Sequence, residues 1–146
     1  MRQVLGTTMV LALVVASAVW LPAVRDARAG DSAPAADLAR GEEVYARCAA
    51  CHSLTENRTG PRHCGLFGRA AASQPGFQYS KAMQRSGLVW DAATLDRFLR
   101  APLDVVPGTK MTYAGISDPS DRAALVAYLE VASRSEACTA AAQESP

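Results

Sequence analysis

The segment Cys48-Ala49-Ala50-Cys51-His52 sets two thiols three residues apart and an imidazole directly after the second. On a helical turn, each thiol can add to a vinyl group on one edge of a porphyrin. The residue that follows can then project its imidazole over the ring centre as an axial ligand of iron. This C-x-x-C-H spacing is read as covalent attachment of one haem c. Two other chemistries use the same residue types. A thioredoxin-like dithiol expects a βαβ setting, and the flanks here look helical. A zinc centre would draw on His63 and Cys64, 12 residues beyond Cys51. Adjacent side chains rarely converge on one tetrahedral ion, because zinc spacings part each pair of ligands by two or more residues.

A six-coordinate iron needs a second ligand from farther along. Beyond the N-terminal segment, the candidates are the thioethers of Met83 and Met111 and the imidazole of His63. A lone methionine is often a flexible core filler. Met111 differs in following Pro107-Gly108-Thr109-Lys110, a turn whose backbone is constrained. Such a loop can hold a thioether rigidly against a metal, which favours Met111 modestly over the other two.

These residues must be positioned by a small domain. The chain has 146 residues, 49% hydrophobic and 20% charged, with a formal net charge of +1. That balance argues against a nucleic-acid binder, which needs surplus positive charge, and the length allows one domain plus a leader. Val4 to Val24 carries no charge, and Ala27-Arg28-Ala29 offers an A-x-A cleavage site, so residues 1–29 read as a secretory signal peptide. An uncleaved membrane anchor is the competing reading. Residues 30–36 read as a flexible lead-in, 37–138 as the folded domain and 139–146 as a tail. Removing the leader leaves 12 basic and 13 acidic side chains. Export implies the periplasm, where a disulfide is permitted.

Within the domain the patterning is helical. Asp37 to His52 reads as one helix with Asp37 at its N-cap, and Asp91 to Arg100 as a second, capped by Asp91 and stopped by Pro102. Pro119-Ser120-Asp121 opens a third, with an apolar stripe of Leu125, Val126, Tyr128, Leu129 and Ala132. A short helix fits Lys81–Ser86. No strand alternation competes, so the fold class is all-α.

The chain resembles the class I c-type cytochromes, in the mitochondrial-like branch shared with small bacterial electron carriers. The likeness rests on Gly41-Glu42-Glu43-Val44-Tyr45, the Cys48–His52 motif, Gly60-Pro61, Gly65-Leu66-Phe67-Gly68-Arg69 and Pro75-Gly76-Phe77-Gln78-Tyr79-Ser80. It continues through Gly87-Leu88-Val89-Trp90, Pro107–Met111, Tyr113-Ala114-Gly115-Ile116 and Leu125-Val126-Ala127-Tyr128-Leu129. These blocks fall in family order over roughly residues 37–133. The resemblance implies a single domain packed around one covalent haem, with His52 the proximal and Met111 the distal ligand. It implies that the Pro61 carbonyl accepts the second ring N–H of His52. Tyr79 and Trp90 match positions that hydrogen-bond the buried haem propionate, and Arg69 one that balances its charge. It also implies that the first and last helices cross where Gly41 and Tyr45 meet Leu125 and Tyr128.

The implied function is not enzymatic. A monomeric carrier would pass single electrons between redox proteins, such as a quinol-oxidising complex and a terminal oxidase or reaction centre, by transient docking at the haem edge. The alternatives are a dedicated electron-transfer partner or subunit of one dehydrogenase or reductase, and a haem gas sensor or peroxidase with Met111 off the iron. The membrane enters only if the leader stays uncleaved.

Four features depart from the family pattern. Cys64 and Cys138 remain outside the motif, and in an exported chain they suggest a disulfide, worth about 4 kcal/mol in the chain-entropy model. His63 stands where an apolar residue usually lies beneath the haem, as a surface or hydrogen-bonded histidine or a ligand in a non-native state. Phe98 replaces a tyrosine that commonly hydrogen-bonds the ligating sulfur. The rim offers only Lys81, Lys110, Arg47 and Arg58, with Leu103 and Asp104 where lysines are expected, so steering towards an acidic partner should be weak.

Overall fold

The computed structural model describes residues 35–143. The leader assigned to residues 1–29 lies outside the described residues, as do 30–34 of the lead-in and 144–146 of the tail. Among the described residues six helices follow in order: α1 (Ala35–Tyr45), α2 (Lys81–Gln84), α3 (Ala92–Arg100), α4 (Pro102–Val105), α5 (Pro119–Ala132) and α6 (Glu136–Gln143). Among the described residues there is no strand, only an isolated antiparallel bridge between Ala70 and Val89. No described helix is long and apolar enough to cross a membrane.

The helix ends follow from local chemistry. Asp91 caps α3 by accepting the Thr94 N–H at 2.7 Å, and Asp118 caps α5 by accepting from Ser120 and Asp121 at 2.7 and 2.9 Å. Both carboxyls are held below their usual range by those backbone bonds. Pro102 ends α3 and then opens α4 from its first turn, where a proline lacks no needed N–H. α1 begins before Asp37, which sits in its first turn rather than at the cap, and stops at Tyr45 instead of running to His52.

α1 packs chiefly on α5, and α3 packs on α5 and α4. The α1–α5 crossing is close because Gly41 has no side chain. A Cβ there would strike the Ala124 carbonyl and lie 2.5 Å from Tyr128 Cβ. Tyr45 and Tyr128 rings meet beside it with centroids 5.3 Å apart. Val44 and Leu125, both fully buried, join Leu66, Trp90, Leu95, Phe98, Leu99 and Leu129 in the core.

Two sets of ion pairs tie the frame. Asp121 receives Arg40 of α1 at 2.7 Å and Arg47, two residues past that helix, at 3.7 Å, linking both to α5. Arg122, also buried, reaches Asp96 at 2.8 Å and donates to the carbonyls of Ile116 and Ser117. The buried guanidinium is thus both paired and hydrogen-bonded, as burial demands. A disulfide joins Cys64 to Cys138, a sequence separation of 74, and fastens α6 to the loop after residue 60. The helix continues past Cys138 to Gln143.

Candidate functional site

Beyond Tyr45 the backbone tightens. Arg47 and Cys48 donate to the carbonyls of Val44 and Tyr45, three residues back, and Cys51 and His52 both donate to the Cys48 carbonyl at 3.0 and 2.9 Å. This compact turn brings the two thiols and the His52 ring onto the wall of one cavity of about 420 Å³. Cys48 is half-buried and Cys51 exposed, and both are free thiols. Burial pushes the Cys48 thiol pKa up.

His52 is oriented from two directions. Its Nδ1 lies 2.7 Å from the Pro61 carbonyl oxygen, which takes the ring N–H and leaves Nε2 for a metal. Burial lowers its pKa, partly opposed by that bond, which favours the neutral ring. Gly60 lies over the ring. A Cβ there would be 2.6 Å from both Nδ1 and Nε2 and nearer still to Cε1, a position above the ring's flat face. Only glycine leaves that space. Arg58 adds a bond to the Ala49 carbonyl at 3.2 Å, bracing the motif from outside.

Met111 and Met83 both line the cavity, as does His63. Met111 follows Gly108, whose φ of +88° suits glycine. The buried Thr109 hydroxyl accepts the Met111 N–H at 3.2 Å. Met83 is buried on α2, with the Ser86 hydroxyl 3.9 Å from its sulfur.

Tyr79, Trp90 and Arg69 share one wall. The backbone of Trp90 exchanges bonds with Gly68 and Arg69 at 2.8 and 3.0 Å. Burial raises the Tyr79 pKa while the Arg69 charge draws it back. Arg69 donates to the carbonyls of Cys64 and Arg62 at 2.9 and 3.0 Å and to the Gln74 side chain. Phe98 lies against Trp90 with ring centroids 5.1 Å apart. The charged side chains lining the cavity are Arg47, Arg69 and Lys110, with no Asp or Glu among the lining residues.

His63 is half-buried on the cavity wall and hydrogen-bonded, one of the readings its sequence position allows. Its ring stacks on His52, centroids 4.4 Å apart and planes 20° from parallel. Its Nδ1 sits 3.3 Å from the Tyr45 hydroxyl. Burial, with His52 and Arg69 adding, pushes its pKa down to about 3, while burial pushes the Tyr45 phenol up to about 12. Sequence reasoning missed this stack, the bond of the Thr109 hydroxyl to the Met111 N–H and the close approach of Gly60 to the His52 ring. The Gly60-Pro61 pair beside a C-x-x-C-H motif was the only written signal for the last.

These residues fit a haem. Two free thiols, one imidazole with an available Nε2, and a loop-held thioether surround a cavity whose apolar walls suit a macrocycle and whose cations suit its two carboxylates. The zinc reading finds no support. Cys64 is oxidised, and among the described residues no three His, Cys, Asp or Glu side chains gather into a metal site.

Comparison with known proteins agrees. The cytochrome c family profile matches residues 38–133. The chain is 41% identical over 122 residues to cytochrome c2 of Rhodomicrobium vannielii, covering 82% of this chain and 91% of that protein. It is 43% identical over 104 residues to cytochrome c of Chlamydomonas reinhardtii, covering 68% and 93%. Among solved structures, cytochrome cH from Methylobacterium extorquens superposes with a TM-score of 0.63 at 43% identity, covering 64% of this chain and 97% of that one. The chain belongs to the cytochrome c family of small c-type electron carriers, which hold one covalently attached haem c.

Proposed function

We propose that the protein carries single electrons through one haem c seated in this cavity, with Cys48 and Cys51 as the thioether attachment points and His52 and Met111 as axial ligands. When bound, the haem iron supplies a reversible ferric–ferrous couple, whose potential methionine ligation raises. The Pro61 carbonyl fixes the His52 tautomer and ring direction. Thr109 restrains the backbone of Met111. With His52 and Met111 both holding the iron, no coordination position would be left for a substrate, which supports a carrier rather than an enzyme. Trp90 and Tyr79 provide N–H and O–H donors for a propionate, and Arg69 a nearby positive charge.

The observation that carries this reading is one cavity that gathers the C-x-x-C-H turn and Met111, its charged lining residues being Arg47, Arg69 and Lys110. The leader pattern of residues 1–29 supports a periplasmic site of action. Its partners are then redox proteins that dock transiently on a small patch.

The test is the visible spectrum of the purified protein: oxidised, reduced, and reduced under carbon monoxide. A low-spin c-type spectrum with the weak iron–sulfur charge-transfer band, unmoved by carbon monoxide, supports His52/Met111 ligation. A high-spin or carbon monoxide-sensitive spectrum takes Met111 off the iron and promotes the sensor or peroxidase reading.

A second reading is favoured by one observation. Leu103 and Asp104 are exposed on α4, with Leu103 48% accessible, where a general shuttle would carry lysines. A patch of that kind suits one dedicated dehydrogenase or reductase, and copurification with a single such complex would support it.

A further inference from the structure

We propose that His63 is a positioning residue that fixes the plane of the proximal imidazole, with Tyr45 and the clamped loop 62–65 fixing His63 in turn. The inference rests on the reading of His52 as an iron ligand.

A ring bonded to a metal at Nε2 and to one carbonyl at Nδ1 is well fixed in direction but poorly fixed in rotation. Acceptance at a carbonyl oxygen has a broad angular distribution, so the His52–Pro61 bond tolerates a swing of the ring plane. A flat group in contact with the face removes that freedom, because any rotation drives one edge into the neighbour. The Gly60 backbone meets the ring near Cε1, and His63 supplies the extended flat neighbour, 4.4 Å away and within 20° of parallel.

The stacked ring is itself held on several sides. Its Nδ1 meets the Tyr45 hydroxyl at 3.3 Å, and the two rings lie tilted at a centroid separation of 5.7 Å. The His63 N–H donates to the Ser53 carbonyl at 3.0 Å and the Cys64 N–H to the Leu54 carbonyl at 2.8 Å. Arg69 grips the carbonyls on either side of it, those of Arg62 and Cys64. The Cys64–Cys138 disulfide and the Gly65 N–H to Ser133 carbonyl bond at 2.9 Å anchor the same loop to the end of α5 and to α6. An aliphatic residue would fill the volume without offering a plane. Phenylalanine would offer the plane without the bond to Tyr45.

The orientation of the proximal ring governs how unpaired spin spreads over the four pyrroles of a ferric haem. The readout is therefore the order and spread of the haem-methyl proton resonances of the ferric holoprotein. That pattern does not follow stability alone. His63→Leu is expected to change it while the low-spin visible spectrum is kept, and His63→Phe, which keeps the plane but loses the bond to Tyr45, is expected to change it by less. Tyr45→Phe should change it by less than His63→Leu. A wild-type pattern in His63→Leu, or a change in His63→Phe as large as in His63→Leu, overturns the proposal. If His63→Leu does not accumulate as holoprotein, Tyr45→Phe decides on the same readout: an altered pattern upholds the tie and an unaltered one overturns it. Failure of the underlying ligand assignment would look different, since the wild-type protein itself would then lack a low-spin c-type spectrum.

Discussion

Replacing Gly41 by alanine sets two effects of opposite sign against each other. In a helix, alanine is favoured over glycine by about 1 kcal/mol. At the α1–α5 crossing, however, the new methyl would sit 2.5 Å from Tyr128 Cβ and 2.8 Å from the Ala124 carbonyl carbon. Carbon atoms pack comfortably at about 3.5–4.0 Å, so the helices must part by roughly 1 Å. Overpacking of this kind typically costs about 1–3 kcal/mol, and the upper end applies because the obstacle includes backbone that cannot rotate away. Subtracting the propensity gain leaves a net loss of about 2 kcal/mol, or roughly 10 °C in Tm for a domain of this size. The assay is urea unfolding of the ferric holoprotein, followed by far-ultraviolet circular dichroism and by the Soret band. Ala39→Gly, on the exposed side of the same helix, is the control. It should lose about 1 kcal/mol through propensity alone. Opposite substitutions would thus both destabilise, and a Gly41→Ala protein as stable as the parent would refute the account of the crossing.

Three further outcomes follow from the geometry. Changing Cys64 and Cys138 together to alanine should lower stability by up to about 4 kcal/mol, from the long loop they close. A loss below about 1 kcal/mol by urea titration would show that the bond restrains the unfolded chain far less than its length implies. Phe98→Tyr places a hydroxyl in the apolar wall beside Trp90 and should shift the midpoint potential in a redox titration; an unchanged midpoint would sink that reasoning. Asp118 has its folded pKa depressed by the N–H groups it accepts at the start of α5. Its contribution is therefore present above the ordinary carboxylate pKa and lost as pH falls through the lower folded value. In an Asp118→Asn variant the side-chain amide oxygen would accept the same bonds without titrating, so the stability gap to the parent should narrow between about pH 5 and pH 2. A gap that stays constant over that range would be the contrary result.

The parts of the fold that could be read from the sequence carry their own signals. α3 has a capping aspartate, an apolar face of Leu95, Phe98 and Leu99, and a terminal proline. α5 has a stripe with Pro119 at its start. Its true cap, Asp118, lies one residue before the Pro119-Ser120-Asp121 stretch that marks the helix start. α4 is a single turn, too short for any period to register. α6 reads EACTAAAQ, with Cys138 its buried residue and the disulfide its covalent tie to the loop after residue 60, so no amphipathic pattern announces it. The early end of α1 reflects tertiary demand. The turn after Tyr45 must tighten to aim Cys48, Cys51 and His52 at one space, and propensity in an alanine-rich segment gives no hint of it.

At the site, the C-x-x-C-H motif states its chemistry through residue types alone. The stacking of His63 does not, because two histidines 11 positions apart become neighbours only when the loop folds back. The burial of Arg122 was equally hidden. Its acceptable cost depends on Asp96 and two carbonyls that no local pattern announces.

The cross-link between Cys64 and Cys138 also imposes an order of events on biogenesis. On export from the N-terminal end, Cys48, Cys51 and Cys64 reach the oxidising space ahead of Cys138, which follows Cys64 by 74 residues. Throughout that interval, any oxidant that can make the native bond can also join the three early thiols to one another. Cys138 reaches its partner only when α5 and α6 have docked on the loop 62–65, so native pairing reports a completed fold. On the proposed attachment, Cys48 and Cys51 become thioethers and leave the pool of competing thiols for good, so the remaining pair has a single way to close. A chain starved of haem keeps all its wrong pairings open. Its yield should then be limited by disulfide scrambling rather than by folding.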